Sequence, residues 1–117
     1  MERLLTIAFK LLLTGLMTVS LGVSVFVSAA AATDLTQGTK VFEVNCAGCH
    51  INGGNIVRRG KNLKLKTLQK NQMDSLEAIA AIVTHGKNNM SAYGDRLSPE
   101  QIQAVAAYVL DQAEQGW

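Results

Sequence analysis

Several residue types are scarce in this 117-residue sequence, and each scarcity excludes a class of protein. One proline and ten glycines without a repeat are not typical of a collagen-like or proline-rich disordered chain. Two cysteines are too few for a disulfide-dense scaffold. Eleven basic and nine acidic side chains leave a net charge of +2, too weak a bias to indicate nucleic-acid binding. The length allows one small domain and excludes a multidomain enzyme.

The first third of the chain contains the three parts of an export signal. Two basic residues precede an apolar run from Leu11 to Val27, which ends in the small residues Ala29–Ala32. A positive start, an apolar centre and an A-x-A site are typical of a secretory signal peptide. We expect cleavage after Ala31, which gives a signal peptide of residues 1–31 and a mature domain of residues 32–117. An uncleaved anchor is the alternative, because the apolar run is just long enough to span a bilayer.

Apolar residues in the mature part recur at helical spacing, and no run alternates long enough to be a strand. Four helices are predicted: one from about Asp34, one through Leu63–Leu68, one between a cap at Asp74 or Ser75 and a stop at Gly86, and one capped by Ser98. The last has the clearest start, since Ser98-Pro99-Glu100-Gln101 combines an N-cap hydroxyl, a first-turn proline and a capping-box glutamine. Residues 52–60 and 86–97 are predicted to be loops. Gly38, unfavourable inside a helix, predicts close approach by another helix.

Both cysteines lie in the pentapeptide Cys46-Ala47-Gly48-Cys49-His50. C-x-x-C-H is the attachment signature of c-type haem. The spacing suits that chemistry, because the two thiols add to the two vinyl groups on one porphyrin edge and the turn then brings the imidazole under the iron. We therefore predict one covalently bound haem c, with Cys46 and Cys49 as thioether links and His50 as an axial iron ligand.

Two other interpretations of the pentapeptide compete with haem. A vicinal disulfide or a thioredoxin-like redox pair would use the same cysteines, but such a pair normally lies in a βαβ unit, and no strand is predicted. A zinc site is the second, but two cysteines and two histidines at these separations do not match zinc-finger spacing. A thiol–disulfide oxidoreductase remains a competing function, and it predicts free thiols where haem attachment consumes both.

Three side chains of the mature part could bind the iron face opposite His50: Met73, His85 and Met90. Met73 stands just before a helix, where it is more easily explained as a core residue. His85 stands at a helix end, where a partly exposed imidazolium interacts well with the helix dipole. Met90 is the predicted ligand, because a lone thioether in a polar loop has no packing role unless it faces something apolar. Histidine and methionine together fill both axial positions, so electron transfer is expected and enzymatic activity is not.

Over nearly the whole mature part, the sequence resembles the soluble photosynthetic cytochrome c6 group of class I c-type cytochromes. Besides the pentapeptide, the resemblance rests on Asp34-Leu35, Gly38, Val41-Phe42, Gly53-Gly54-Asn55, His85-Gly86-Lys87-Asn88-x-Met90, Arg96-Leu97-Ser98 and Gly116-Trp117. It implies an all-α class I cytochrome c fold, with about four helices wrapped around one covalently attached haem that His50 and Met90 ligate. It also implies that the first and last helices pack together through Gly38, Phe42 and Tyr108.

The same resemblance implies a physiological setting. The protein is expected to carry electrons from the cytochrome b6f complex to photosystem I, or to a terminal oxidase, through transient contacts. The expected location is the thylakoid lumen or the periplasm, with no nucleic-acid partner and no stable membrane insertion after signal cleavage.

The sequence departs from the family pattern at two positions. The family usually has proline after the ligand methionine, where this chain has Ser91, so we expect Met90 to be easier to displace. High-potential members usually have glutamine eight residues before that methionine, where this chain has Ile82, so we expect a lower potential. A haem-based sensor or a peroxide-reactive haem protein with a displaceable Met90 is therefore the alternative function.

A basic segment follows the pentapeptide, and its cations are Arg58, Arg59, Lys61, Lys64 and Lys66. A run of this kind is usually a solvated surface, which is the interpretation we favour. If it lies near the haem edge, it would steer an acidic partner toward the protein.

Overall fold

The computed structural model describes residues 2–7 and 35–117, which belong to two compact units, Met1–Ala32 and Thr33–Trp117. In the first unit, residues 2–7 are helical. The apolar run and the expected cleavage site lie outside the described residues, so the division into a signal peptide and a mature domain stays a prediction. No helix within residues 2–7 or 35–117 is long and apolar enough to cross a membrane.

Helices make up the framework of the second unit. They are α1 (35–45), α2 (Ala47–His50), α3 (Leu65–Lys70), α4 (Leu76–His85) and α5 (Pro99–Gln115). Two 3-10 turns, Ile51–Gly53 and Arg59–Lys61, follow α2. Residues 2–7 and 35–117 contain no named strand, only an isolated bridge between Lys87 and Met90, and the all-α prediction is confirmed.

The helix boundaries follow from capping groups that the sequence carries. Ser75, not Asp74, caps α4, because its hydroxyl oxygen accepts a hydrogen bond from the Ala78 N–H at 3.2 Å. Gly86 ends that helix at a φ of 68°, where a residue with a Cβ is strained. At the start of α5, both halves of the predicted capping box with Gln101 are present.

Two local predictions need correction. The segment predicted as a loop over residues 52–60 overlaps both 3-10 turns. The glycines in this segment suggested irregular structure, but single turns with i to i+3 hydrogen bonds tolerate them. The short helix begins at Leu65 rather than Leu63, because Lys64 is still extended, with a ψ of 143°.

Part of the core lies between α4 and α5, which pack together more extensively than α3 and α5 do. The buried core cluster consists of Val41, Phe42, Leu68, Ile79, Ala80, Val83, Ile102, Val105, Ala106, Val109 and Ala113. Most of them are alanine, valine or isoleucine, so the helices approach closely and the apolar volume is small.

The first and last helices cross at the predicted glycine. A Cβ on Gly38 would lie 2.2 Å from the carbonyl oxygen of Ala104 and 2.7 Å from the Cβ of Tyr108, so no larger residue fits there. One turn later, the Phe42 ring lies 5.2 Å from the Tyr108 ring. The expected packing through Gly38, Phe42 and Tyr108 is confirmed. It fixes the end of α1, from which the chain enters the pentapeptide directly.

Candidate haem site

The pentapeptide forms a single helical turn that continues from α1. The N–H groups of Cys49 and His50 donate to the Cys46 carbonyl at 3.1 and 2.9 Å, and the Cys46 N–H donates to the Phe42 carbonyl at 2.8 Å. Cys46 is half-buried against the core, Cys49 is exposed, and no disulfide joins them. Since residues three apart lie on one side of a helix, the two sulfurs can reach the same edge of a planar group.

The environment of Cys46 keeps its thiol protonated. Burial raises the pKa of Cys46 to about 11, and the nearby Cys49 contributes to the rise. Cysteines that take part in thiol–disulfide exchange usually have a lowered pKa, because the thiolate is the nucleophile. The shift at Cys46 is in the opposite direction, so Cys46 itself lacks the activation expected of an attacking thiol.

A backbone carbonyl orients the His50 ring. The Nδ1 atom lies 2.8 Å from the Gly54 carbonyl oxygen. Since a carbonyl only accepts, Nδ1 carries the proton and Nε2 is left with a free lone pair, the tautomer that binds a metal. The Gly54 N–H in turn donates to the Ile51 carbonyl at 2.9 Å, which holds the peptide bond between Gly53 and Gly54 in place. The sequence did not identify Gly54 as the acceptor, although the Gly53–Gly54 pair marks a place where backbone approaches closely.

Met90 stands at the end of a tight turn. Lys87 and Met90 exchange both backbone hydrogen bonds at 3.0 Å. Asn88 within the turn has a φ of 54°, which asparagine tolerates better than most residues. The Met90 side chain is half-buried and packs against the core. The backbone of Met90 is therefore fixed by the turn, and its thioether is positioned by packing alone.

A long-range hydrogen bond ties the methionine loop to the pentapeptide. The Tyr93 hydroxyl donates to the carbonyl oxygen of Asn45 at 2.9 Å, and Asn45 directly precedes Cys46. The Tyr93 N–H donates to the Val83 carbonyl at 2.9 Å, and the Arg96 guanidinium lies 4.2 Å from the centre of the Tyr93 ring. The fold thus brings the loop that carries Met90 next to the end of α1. Nothing in the local sequence around Tyr93 indicated this role.

The two other ligand candidates lie where their alternative roles predict. Met73 is half-buried and packs against the core, and His85 is exposed at the last residue of α4. Of the two positions that depart from the family pattern, Ile82 is half-buried on α4 and Ser91 is exposed.

The residues present fit a covalently attached haem. Several apolar side chains pack on the core yet keep exposed surface: Leu63, Leu65, Met73, Leu76, Met90, Tyr93 and Leu97. Ile51, Ile56 and Val57, all within eight residues of His50, are 59%, 65% and 59% exposed. An apolar macrocycle covers surface of this kind, and an imidazole nitrogen with a thioether sulfur is a donor set found in cytochromes c.

A cleft of about 390 Å³ opens beside Gly54, between the apolar Ile51 and Ile56 and the cationic Arg59 and Lys64. Every cation of the basic segment is exposed. Within residues 2–7 and 35–117, none of these cations forms an ion pair. The Lys64 ammonium donates to the Asn52 carbonyl at 3.0 Å. The segment is an exposed basic surface.

Residues 33–109 match the family model described as cytochrome c oxidase, cbb3-type, subunit III. A cytochrome c6-like protein of Nostoc sp. is 65% identical over 95 residues, which cover 81% of this chain and 86% of the relative. Cytochrome c6 of Thermostichus vulcanus is 52% identical, over 84% of this chain and 90% of the relative.

Among solved structures, cytochrome c6C from Synechococcus sp. PCC 7002 has a TM-score of 0.68 at 64% identity, over 69% of this chain and 99% of that one. The match to the family model, over residues 33–109, spans α1 to α4, the pentapeptide and the methionine loop. The chain belongs to the cytochrome c6 family, and it is an electron carrier with the class I cytochrome c fold and one covalently bound haem c.

Proposed function

We propose that the protein carries single electrons from the cytochrome b6f complex to photosystem I, with a terminal oxidase as a further acceptor. We propose that Cys46, Cys49, His50 and Met90 hold the haem. The observation that carries this proposal is the placement of the His50 imidazole. Its Nδ1–H donates to the Gly54 carbonyl oxygen, and His50 directly follows two cysteines on the same helical turn. When bound, the haem supplies a one-electron Fe(III)/Fe(II) couple.

Each of the four residues has a distinct role. Cys46 and Cys49 tether the group through thioether bonds, so that it is not lost during repeated encounters with partners. His50 donates its Nε2 lone pair, and the bond to Gly54 makes that nitrogen a stronger donor. Met90 supplies a thioether, which favours the ferrous state and raises the potential. If His50 and Met90 both bind the iron, no coordination position would be open for a substrate, and we propose no catalytic residue.

The proposed location is the thylakoid lumen or the periplasm. It is supported by the basic, apolar and small-residue regions of residues 1–31, which have the order of a secretory signal. After cleavage, residues 32–117 would have no stable insertion in the membrane and would diffuse between complexes. No nucleic-acid partner is proposed.

Transient docking is supported by the surface beside Gly54. Ile51 and Ile56 expose apolar area next to Arg59 and Lys64, and the cations of the segment are free of carboxylate partners in the described part of the chain. A small apolar contact surrounded by charge suits a weak complex that forms quickly and releases quickly. An acidic surface on the partner would fit this arrangement.

The test begins with the protein matured by the c-type haem attachment machinery. The expected product has the mass of one haem added, no titratable thiol and a methionine–ferric charge-transfer band, and it reduces photo-oxidised photosystem I particles in a saturable reaction. Free thiols in the matured protein would contradict haem attachment through the cysteines. Failure to reduce photosystem I, with the band intact, would contradict the proposed acceptor.

Two matched pairs of variants test the ligand assignments. Met90→Ala is expected to abolish the charge-transfer band and to allow carbon monoxide binding, whereas Met73→Ala, at a half-buried methionine, is expected to keep the band. His50→Ala is expected to prevent formation of a low-spin haem, whereas His85→Ala is not. If Met73→Ala or His85→Ala produced the loss instead, the assignment would be wrong. Carbon monoxide or peroxide binding by the unmodified protein would favour the sensor or peroxide-reactive function.

A further inference from the structure

The indole ring of Trp117 is pressed against the backbone of Gly53. A Cβ on Gly53 would lie 2.4 to 2.5 Å from three carbons of the ring, and Gly53 has a φ of 69°, so only glycine fits there. The ring centre lies 5.3 Å from that of Phe42, and the ring meets Tyr108 edge-on at 6.1 Å. Aromatic side chains from α1 and α5 therefore hold the indole against this glycine.

The indole N–H makes a second connection to the same glycine. Trp117 Nε1–H donates to the Leu63 carbonyl oxygen at 3.0 Å. The Leu63 N–H donates to the Gly53 carbonyl oxygen at 2.8 Å. Gly53 is thus held by the ring on one side and, through Leu63, by the indole nitrogen on the other.

Gly53 is joined by one peptide bond to Gly54, the hydrogen-bond acceptor of His50. The direction of the Gly54 carbonyl depends on the backbone dihedral angles of this pair. Whatever fixes Gly53 therefore helps to fix the length and angle of the hydrogen bond on His50 Nδ1.

The backbone turn that places the indole is itself specific. Gly116 has a φ of 99°, and the N–H groups of Gly116 and Trp117 both donate to the Gln112 carbonyl at 2.9 Å. Trp117 has a φ of 60°, which is rare for a bulky residue and persists only where surrounding contacts enforce it. The contacts with Phe42, Gly53 and Leu63 are such constraints.

We propose that Trp117 is a positioning residue for the axial histidine: through Leu63 and Gly53, it holds the Gly54 carbonyl on His50 Nδ1–H and so lowers the midpoint potential of the haem. The inference rests on the proposed role of His50 as iron ligand. A firm Nδ1–H bond makes Nε2 more basic, and a more basic ligand stabilises ferric over ferrous iron. Loosening the bond should therefore raise the potential.

Trp117→Phe in the matured protein tests this by keeping an aromatic ring and deleting the N–H. At a fixed applied potential, the ratio of reduced to oxidised protein is expected to rise about threefold, which is about 30 mV for a one-electron couple. In the reduced protein labelled with ¹⁵N-histidine, hydrogen exchange at His50 Nδ1 is expected to accelerate by about tenfold, as for the loss of one hydrogen bond.

Two further variants separate positioning from general loss of stability. Gly116→Ala keeps the indole and adds a Cβ with no atom within 4 Å, but it opposes the left-handed turn, so it should shift the ratio in the same direction. Ala113→Gly, at a buried alanine of α5, should lower the unfolding midpoint. It should leave the midpoint potential of the haem and the hydrogen exchange at His50 Nδ1 unchanged.

An unchanged potential in Trp117→Phe, with the methionine–ferric band intact, would overturn the inference. A lowered potential would overturn it too, because it would indicate that the substitution merely admits water, which stabilises the ferric state. Equal shifts in Trp117→Phe and Ala113→Gly would overturn it as well. Failure of the proposed function itself would be seen separately. In that case the unmodified protein would lack the methionine–ferric band before any substitution is made.

Discussion

The two proposed axial ligands are held in different ways. On the histidine side, the His50 ring has its own hydrogen bond, and the backbone that supplies the acceptor is constrained by Leu63 and Trp117. On the methionine side, a two-residue turn fixes the backbone, but the Met90 thioether has only packing to hold it. The fold as a whole positions one ligand, and a local turn positions the other. A competing ligand or a mild denaturant should therefore displace Met90 from the iron more easily than it displaces His50.

The difference follows from the chemistry of the two side chains. An imidazole needs one nitrogen protonated and the other free, so a hydrogen bond to a fixed acceptor also selects the tautomer. A thioether is a weak acceptor with three rotatable bonds, so its position depends on the backbone and on the side chains around it. At Ser91 the chain also lacks the proline that would restrict Met90.

Gly53→Ala should have the largest effect on stability, because it disrupts the more constrained of the two ligand sides, that of His50. The new Cβ would lie 2.4 Å from the Trp117 ring at a φ of 69°. Steric overlap and the left-handed backbone together should lower the free energy of unfolding by about 3 kcal/mol. Denaturant unfolding of the matured protein measures this, with Gly60→Ala as the control, since its Cβ meets no atom within 4 Å. Equal stability of the two variants would mean that the histidine side is not constrained as described.

Gly86→Ala makes the corresponding change on the methionine side. Its Cβ would lie 2.6 Å from the Met90 carbonyl oxygen at a φ of 68°. The overlap is smaller than at Gly53, so the expected loss is about 2 kcal/mol, accompanied by a weaker methionine–ferric band. Absorption spectra during unfolding follow both quantities, and Gly60→Ala, which meets no atom within 4 Å, is the control. An intact band with a large stability loss would show that Met90 does not depend on this turn.

Tyr93→Phe should loosen the link between the two sides. It deletes the hydroxyl that donates to Asn45 at 2.9 Å, at an expected cost of about 1 kcal/mol. If that energy holds the loop closed over the iron, the affinity of the ferric protein for added imidazole should rise about fivefold. Tyr108→Phe is the matched control, because within residues 35–117 the Tyr108 hydroxyl makes no hydrogen bond. Equal imidazole affinities in the two variants would contradict a role for the Tyr93 bond.

Ser91→Pro should have the smallest effect and should make the two sides more alike. Ser91 is exposed, and proline there restricts Met90 and reduces the freedom of the opened loop. The expected stabilisation is about 0.5 kcal/mol. Imidazole affinity should fall about twofold, as competition titrations of the ferric protein would show. A rise in affinity would mean that Ser91, and not the missing proline, already closes the loop.

The sequence predicted those parts of the molecule that depend on neighbouring residues. The cap of α5 by Ser98 and Gln101 and the stop of α4 at Gly86 are determined by residues within one turn of each other. The pentapeptide likewise contains the whole spacing that haem attachment needs. Gly38 predicted a close helix crossing because glycine inside a helix is unfavourable without one.

The parts that could not be predicted depend on contacts between distant segments. Trp117 reaches Leu63 across 54 residues, and Tyr93 reaches Asn45 across 48. Neither contact leaves a periodic pattern in the sequence. The acceptor of His50 is a backbone carbonyl, and every residue has one, so no side chain identified Gly54. The signal peptide of residues 1–31, the two thioether links and the two axial ligands are predictions.

The contrast between a fixed histidine and a displaceable methionine is tested most directly by titrating the ferric holoprotein with imidazole. The methionine–ferric band and the hyperfine-shifted ring signals of His50 would be followed together. We expect the band to disappear in one saturable step as a single imidazole binds, while the His50 signals persist. Loss of the His50 signals first, or no methionine band before imidazole is added, would contradict the account.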